Sequence, residues 1–278
     1  PGSKLPHINI ENFLKTFVPL LITAIGLSLA FKMRFWNIGG EGQFVVGAIL
    51  SATVAFKLGP KLPNGVTLLL MALAAMLSAG LYGLIAGALK VKFGTNETLL
   101  TLMLNYIATY TLTFLGERKG DWNFFLNPSS VRPIFGSFSA YAQMPMFKIG
   151  KFSLNLSVII ACVLCVLIFI YIKYTKHGYE LSVVGDSAGT ARYAGMKVNR
   201  IVLRTVFLSA ALIGLAAMLK VTTAGVLSAT ITDSVGWTGV IVAWLAKLNT
   251  LGIFVVSGLI SVLQYGSTVA SSTYSAVD

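Results

Sequence analysis

The sequence predicts an all-α fold, a polytopic transmembrane helical bundle, and two observations carry that prediction. Charged residues make up 11% of the chain against 56% hydrophobic ones, and the mean hydropathy is +0.81, whereas soluble domains carry roughly 25% charged residues. The apolar residues also fall into about eight separate charge-poor runs, at 16–31, 42–56, 66–89, 98–116, 152–172, 205–219, 234–246 and 248–277. A soluble core has no place for so many separate runs, so all 278 residues read as one membrane domain.

A helix needs roughly 20 residues to cross the hydrocarbon core, so 66–89, 98–116 and 152–172 are spans as they stand. The runs of 13 and 15 residues are too short to stand alone. Short, glycine-interrupted segments persist at membrane depth only where protein or a water-filled cavity surrounds the freed backbone groups, which points to a transport pathway. In the third run Ala79, Gly80, Gly83 and Gly87 share a face, and small residues so spaced read as a helix-packing seam.

The loop 173–204 holds six Lys and Arg (Lys173, Lys176, Arg192, Lys197, Arg200, Arg204) against Glu180 and Asp186. An excess of Lys and Arg marks the cytoplasmic side. Alternation then places Lys32, Arg34, Lys90 and Lys92 on that side, and the 116–151 loop and the N-terminal segment outside. Within the loop, Asp186 and Ser187 are good N-caps, 188–194 can form two turns, and Gly195 is a natural stop. This predicts a short helix at 186–195. So short a helix is marginal in water and must pack on something, either a partner protein or its own bundle.

Three polar clusters interrupt the apolar runs. Phe35-Trp36-Asn37-Ile38-Gly39-Gly40-Glu41-Gly42-Gln43 sets three glycines among Asn, Glu and Gln. Glycine breaks the helix, and the carboxylate and amides could hydrogen-bond a hydroxylated ligand, or the segment could be a surface turn with Glu41 in water. Gly94-Thr95-Asn96-Glu97-Thr98 reads as a capped helix start, with Asn96 or Thr95 as cap and Glu97 at the positive end of the dipole. Asn105, two turns on, lies in mid-span, where an amide usually bonds another helix. Asp233-Ser234-Val235-Gly236-Trp237-Thr238-Gly239 opens the shortest run; Trp237 there suits a membrane interface, or stacking on a base or sugar. The candidate substrate-pathway residues are therefore Asn37, Glu41, Gln43, Asn96, Glu97, Asn105, Trp237 and Thr238.

Other chemistries find little support. The net charge of +12 is scattered over short loops without a basic face, which argues against nucleic acid. Cys162 and Cys165 lie one turn apart in an apolar run and read as buried hydrophobes, not metal ligands. Only His7 and His177 could serve as imidazole bases, both expected in loops, and no phosphate-cradling GxxxxGK[ST] motif occurs.

At the same clusters the sequence resembles the nucleoside and simple-sugar branch of the bacterial ABC permeases, relatives of the ribose and branched-chain amino-acid permeases. The resemblance rests on 35–43, on Thr95-Asn96-Glu97 followed by Leu102-Met103-Leu104-Asn105-Tyr106-Ile107-Ala108, on Ala191-Arg192-Tyr193-Ala194-Gly195-Met196, and on Gly236-Trp237-Thr238-Gly239-Val240-Ile241-Val242-Ala243. It implies a type II importer subunit in the bacterial cytoplasmic membrane, working with a second permease subunit, cytoplasmic ATP-binding cassette subunits and an extracytoplasmic substrate-binding (lipo)protein. ATP would be hydrolysed on the partner, and this chain would bind no cofactor and be no enzyme. Asp186, Ser187, Ala191, Arg192, Tyr193, Ala194 and Gly195 would then dock the ATPase as a coupling helix. The cargo implied is a nucleoside, with a simple sugar or other small polar solute as alternative; an ion-coupled secondary transporter is the competing class. Members of that branch usually carry one more span before the segment near Phe17 and more sequence after the last run. With the opening Pro1-Gly2-Ser3, lacking Met and any signal-peptide pattern, this reads as a trimmed chain.

Overall fold

The computed structural model describes residues 10–149 and 152–274. Seven helices there are long and apolar enough to cross a membrane. They are α1 (Ile10–Lys32), α2 (Gly40–Leu58), α3 (Asn64–Phe93), α4 (Glu97–Glu117), α5 (Leu156–Tyr174), α8 (Val198–Ala224) and α10 (Thr250–Tyr274). Between α5 and α8 lie α6 (Lys176–Asp186) and α7 (Ala188–Tyr193), and α9 (Val235–Leu245) precedes α10. The short runs at 42–56 and 205–219 gain length from flanking polar residues; only 234–246 stays short, and α9 is a half-length helix. His7 lies outside the described residues, as does the last run beyond 274; His177 lies in α6, not in a loop.

Burial sorts the helices. Phe17–Phe31 of α1 are buried on every side, and 78% and 72% of the apolar windows of α1 and α8 are buried, against 22%, 22% and 17% for α4, α5 and α10. A helix apolar all round belongs inside, so α1 and α8 form the centre and the others wrap them. The seam on α3 packs on α8: Cβ atoms built at Gly80 and Gly83 would meet Phe207 and Ala210. At Gly214 of α8 three helices converge. A Cβ there would run into the Ala75 carbonyl and lie 2.7 Å from the Ala79 Cβ, and one on Gly47 would lie 2.7 Å from the Gly214 Cα. Only glycine allows that approach, which van der Waals contact needs where no hydrophobic force joins helices in lipid.

One span begins later than its apolar run. Residues 152–155 form β2 (Phe152–Asn155), paired antiparallel with β1 (Met146–Ile149). The Asn155 side chain then accepts the Ser157 N–H and caps α5. A charge-free strand is indistinguishable by hydropathy from the helix it feeds.

The two ends of the bundle are distinct. At one, Gly185 touches the backbone of Lys32 and Met33, and Lys90, Glu97, Asp186, Arg192 and Val198 surround one cavity of about 710 Å³. At the other, Asn64 donates to the carbonyls of Tyr141 and Gln143, and the Phe138 N–H to Gly225. The groups expected on the cytoplasmic side thus share one end, opposite the 118–145 segment.

Candidate functional site

Helix α1 ends in a tight turn with Arg34 at φ 57°, and residues 35–38 are unwound before α2 begins. Unwound backbone inside a bundle must find partners, and the first polar cluster supplies them. Asn37 Oδ1 accepts from Gly39 N at 3.0 Å; its amide and that of Gln43 bond each other twice, at 3.0 and 3.1 Å. Ile38 N donates to Thr101 Oγ1 at 3.2 Å. Asn105, in α4, donates to Ile38 O and accepts from Gly42 N, both at 2.8 Å. Asn37, Gln43 and Asn105 are buried; the Asn37–Gln43 pair ties the α1–α2 break to the first turn of α2, and Asn105 with Thr101 ties it to α4.

Glu41, 8% exposed, does not face water. Its Oε2 accepts the N–H of Gly236 at 2.8 Å, so a carboxylate from α2 meets the N-terminus of α9. That terminus lacks a cap of its own: Asp233 and Ser234 have φ of 44° and 58°, and the Ser234 side chain caps nothing. The carboxylate supplies the negative charge that a helix N-terminus favours. Trp237, one residue on, is 40% exposed, and Thr238 is half-buried with its hydroxyl 3.5 Å from Gln264 Nε2. Elsewhere, Asn96 accepts from Thr98 N and Leu99 N and caps α4, while Glu97 pairs with Lys90 at 2.7 Å. Asn37, Glu41, Gln43, Asn105 and the start of α9 therefore meet at the foot of α2; Asn96, exposed, and Glu97 sit at the bundle end.

In the basic loop Asp186 is no cap. It closes α6, and Ser187 alone caps α7, accepting from Thr190 N at 3.2 Å; the chain turns between the two helices at Ser187, so Asp186 keeps helical backbone. Gly195 follows at φ 76°. Ala191 is fully buried, whereas Arg192, Tyr193 and Ala194 are exposed, Tyr193 at 98%.

A further surface escaped the sequence reading. The outer face of α3 (Leu69, Leu73, Leu77, Leu81, Ile85) is purely aliphatic, as is much of that of α5. The outer face of α4 instead exposes Thr109 and forms a shallow groove of about 540 Å³ lined by Met103, Tyr106, Ile107, Tyr110, Thr111 and Phe114. Neither tyrosine hydroxyl has a hydrogen-bond partner among the described residues. Unpartnered hydroxyls are costly against lipid tails, so this face suits water, solute or protein, and α3 suits lipid. The signal was present as hydroxyl side chains at helical spacing within a charge-free run.

Among the described residues, seven membrane-length helices, two of them buried at the centre, with an unwound break clamped by amides and a half-length helix beside it, define a multi-pass transport permease of the inner membrane. The chain belongs to the family described as branched-chain amino acid transport system / permease component, whose model matches residues 9–277. It is 29% identical over 265 residues to a nucleoside ABC transporter permease protein of Lactococcus lactis, covering 93% of this chain and 72% of that one. A guanosine ABC transporter permease protein of Bacillus subtilis is 26% identical over 264 residues, covering 91% and 72%. A glucose ABC transporter permease protein of Haloferax volcanii is 25% identical over 260 residues, covering 90% and 67%. No solved structure matches the chain.

Proposed function

We propose that this chain carries nucleosides, purine nucleosides first, as the permease subunit of an ATP-binding cassette importer. The observation that carries the reading is the pairing of the clamped break with the open tyrosine face of α4. The break gives a rigid foot to α2 and α4, and the tyrosine rings offer stacking surfaces and hydroxyls to a base and ribose. The names of the nucleoside and guanosine permeases above support the cargo. The sugar permeases among the relatives keep a simple sugar as second reading, because hydroxyl donors serve either solute.

In this reading the chain holds no cofactor and hydrolyses nothing. A cytoplasmic ATPase docks on α7 through Arg192, Tyr193 and Ala194; a second permease subunit and an extracytoplasmic binding protein complete the importer. The pathway residues divide their work. Asn37, Gln43 and Asn105 hold the α2 foot, Glu41 holds α9, Asn96 and Glu97 fix the start of α4, and Trp237 and Thr238 border the path from α9. The test is uptake of a labelled purine nucleoside by cells lacking their own nucleoside transporters, complemented with this chain and its partner subunits, with an intact or an ATPase-dead partner. ATPase-dependent accumulation is expected. Assembly without accumulation would move the cargo to sugars, and accumulation with the dead partner would overturn the ATP-driven mechanism.

A further inference from the structure

At the basic end of the bundle, α6, the turn after α7 and the first two turns of α8 enclose a groove of about 500 Å³. Arg200 and Arg204 lie one turn apart along one face of α8, Lys197 stands at its N-cap, and Lys176 and Tyr179 line the same groove from α6. Glu180 is the one carboxylate in the lining, and it is consumed by Arg204 at 3.0 Å. Lys176, Lys197 and Arg200 are exposed and enter no ion pair among the described residues.

The place of the groove matters as much as its charge. Arg204 immediately precedes the charge-free part of α8, and Tyr171, in the last turn of α5, lies with its ring 6.0 Å from that of His177 in α6. Aromatic rings and snorkelling cations gather at the boundary between hydrocarbon and water. A groove with three unspent positive charges at that level meets lipid headgroups by position, and basic pockets between spanning helices suit anionic headgroups.

We infer that this groove is a binding site for the headgroup of an anionic phospholipid, held by Lys176, Lys197 and Arg200, with Tyr179 at its rim. Because Ala194, Gly195 and Met196 form its far wall, a bound headgroup lies directly behind the surface offered to the ATPase. The inference needs the membrane placement alone and stands whichever solute is carried.

The test uses the whole complex, purified in mixed micelles of phosphatidylglycerol and phosphatidylcholine and examined by native mass spectrometry for retained lipid. The wild type is expected to retain phosphatidylglycerol in preference. Replacing Lys197→Gln and Arg200→Gln together is expected to cut that preference by roughly fivefold or more, since each cation near a headgroup is worth about that factor. Lys197→Arg with Arg200→Lys keeps the charge and should keep the preference. Should the double glutamine variant aggregate, Lys176→Gln at the open edge gives the same readout. Equal retention of the two lipids by the wild type, or an unchanged preference in the charge-removed variants, would overturn the site. Loss of the ATPase with unchanged lipid preference would make the groove a protein-docking surface instead. Displacement of the lipid by excess inorganic phosphate would reassign it to a free anion.

Discussion

Glu41 Oε2 and the backbone N–H of Gly236 meet at 2.8 Å although 195 residues separate them in the chain. The approach depends on glycine: a Cβ on residue 236 would press into the backbone nitrogen of Glu41 and lie 2.6 Å from its Cα and Oε2. Gly236→Ala is therefore expected to push α9 off α2. A charge-assisted hydrogen bond contributes about 1.5–3 kcal/mol. Glu41→Ala should lower thermal stability by an amount of that order and sharply reduce uptake, whereas Glu41→Gln, keeping an acceptor without the charge, should fall between. Uptake assays and melting curves on the assembled complex check this; wild-type uptake by both Gly236→Ala and Glu41→Ala would show that the contact plays no part in transport.

The amide clamp predicts a different signature. Truncating Asn105 to Ala strands Ile38 O and Gly42 N in the bundle interior, each orphan costing about 1–3 kcal/mol. Expression and melting temperature should drop together with uptake, unlike the response to a residue that only touches solute. For Asn37 and Gln43, which bond each other twice, Asn37→Ala and Gln43→Ala should be non-additive, with a coupling of about 0.5–2 kcal/mol in a double-mutant cycle. Additive losses would mean that the two amides act separately.

How much of this was legible in the sequence differs from residue to residue. The spans were, because hydropathy depends on composition over twenty residues and not on what lies beside them. The shortness of α9 and a break within the 35–43 cluster, which the structure confines to 35–38, were legible for the same reason, as was the cap on α4, since Asn96 and the N–H groups it accepts are neighbours in sequence. The partners of the break were not. Asn105 bonds groups 63 and 67 positions away, and Glu41 one 195 away, so residues that read equally well as ligand groups turn out to hold one another. Asp186 misled because Asp and Ser are both good caps, and only the turn between α6 and α7 decides which one serves.

That turn also sharpens the docking prediction. Ala191 is fully buried against its own bundle, so Ala191→Asp should unfold the loop locally, since an unpaired charge cannot be buried cheaply. Tyr193, almost wholly exposed, is the informative position. Tyr193→Ser is expected to leave the stability of the isolated chain within about 0.5 kcal/mol of wild type while strongly reducing co-purification of the ATPase subunit. Retention of the ATPase by Tyr193→Ser would remove the exposed side of α7 as the docking surface.

The two outer faces of the bundle make the last prediction. Leu77 on α3 and Tyr110 on α4 are comparably exposed, at 54% and 70%, yet one lies in an aliphatic stripe and the other beside Tyr106 and Thr109. If α3 meets lipid and α4 borders the path, Leu77→Ala should leave uptake unchanged, because exchanging one apolar side chain for another against lipid tails alters little. Tyr110→Ala removes a stacking ring worth about 0.5–1.5 kcal/mol beyond its area, and should lower uptake several-fold at low nucleoside concentration. Tyr110→Phe separates ring from hydroxyl: full recovery assigns the contact to stacking on a base, and partial recovery to a hydrogen bond with ribose or sugar. Equal loss of uptake in Leu77→Ala and Tyr110→Ala would show that the polarity of the α4 face does not mark the path.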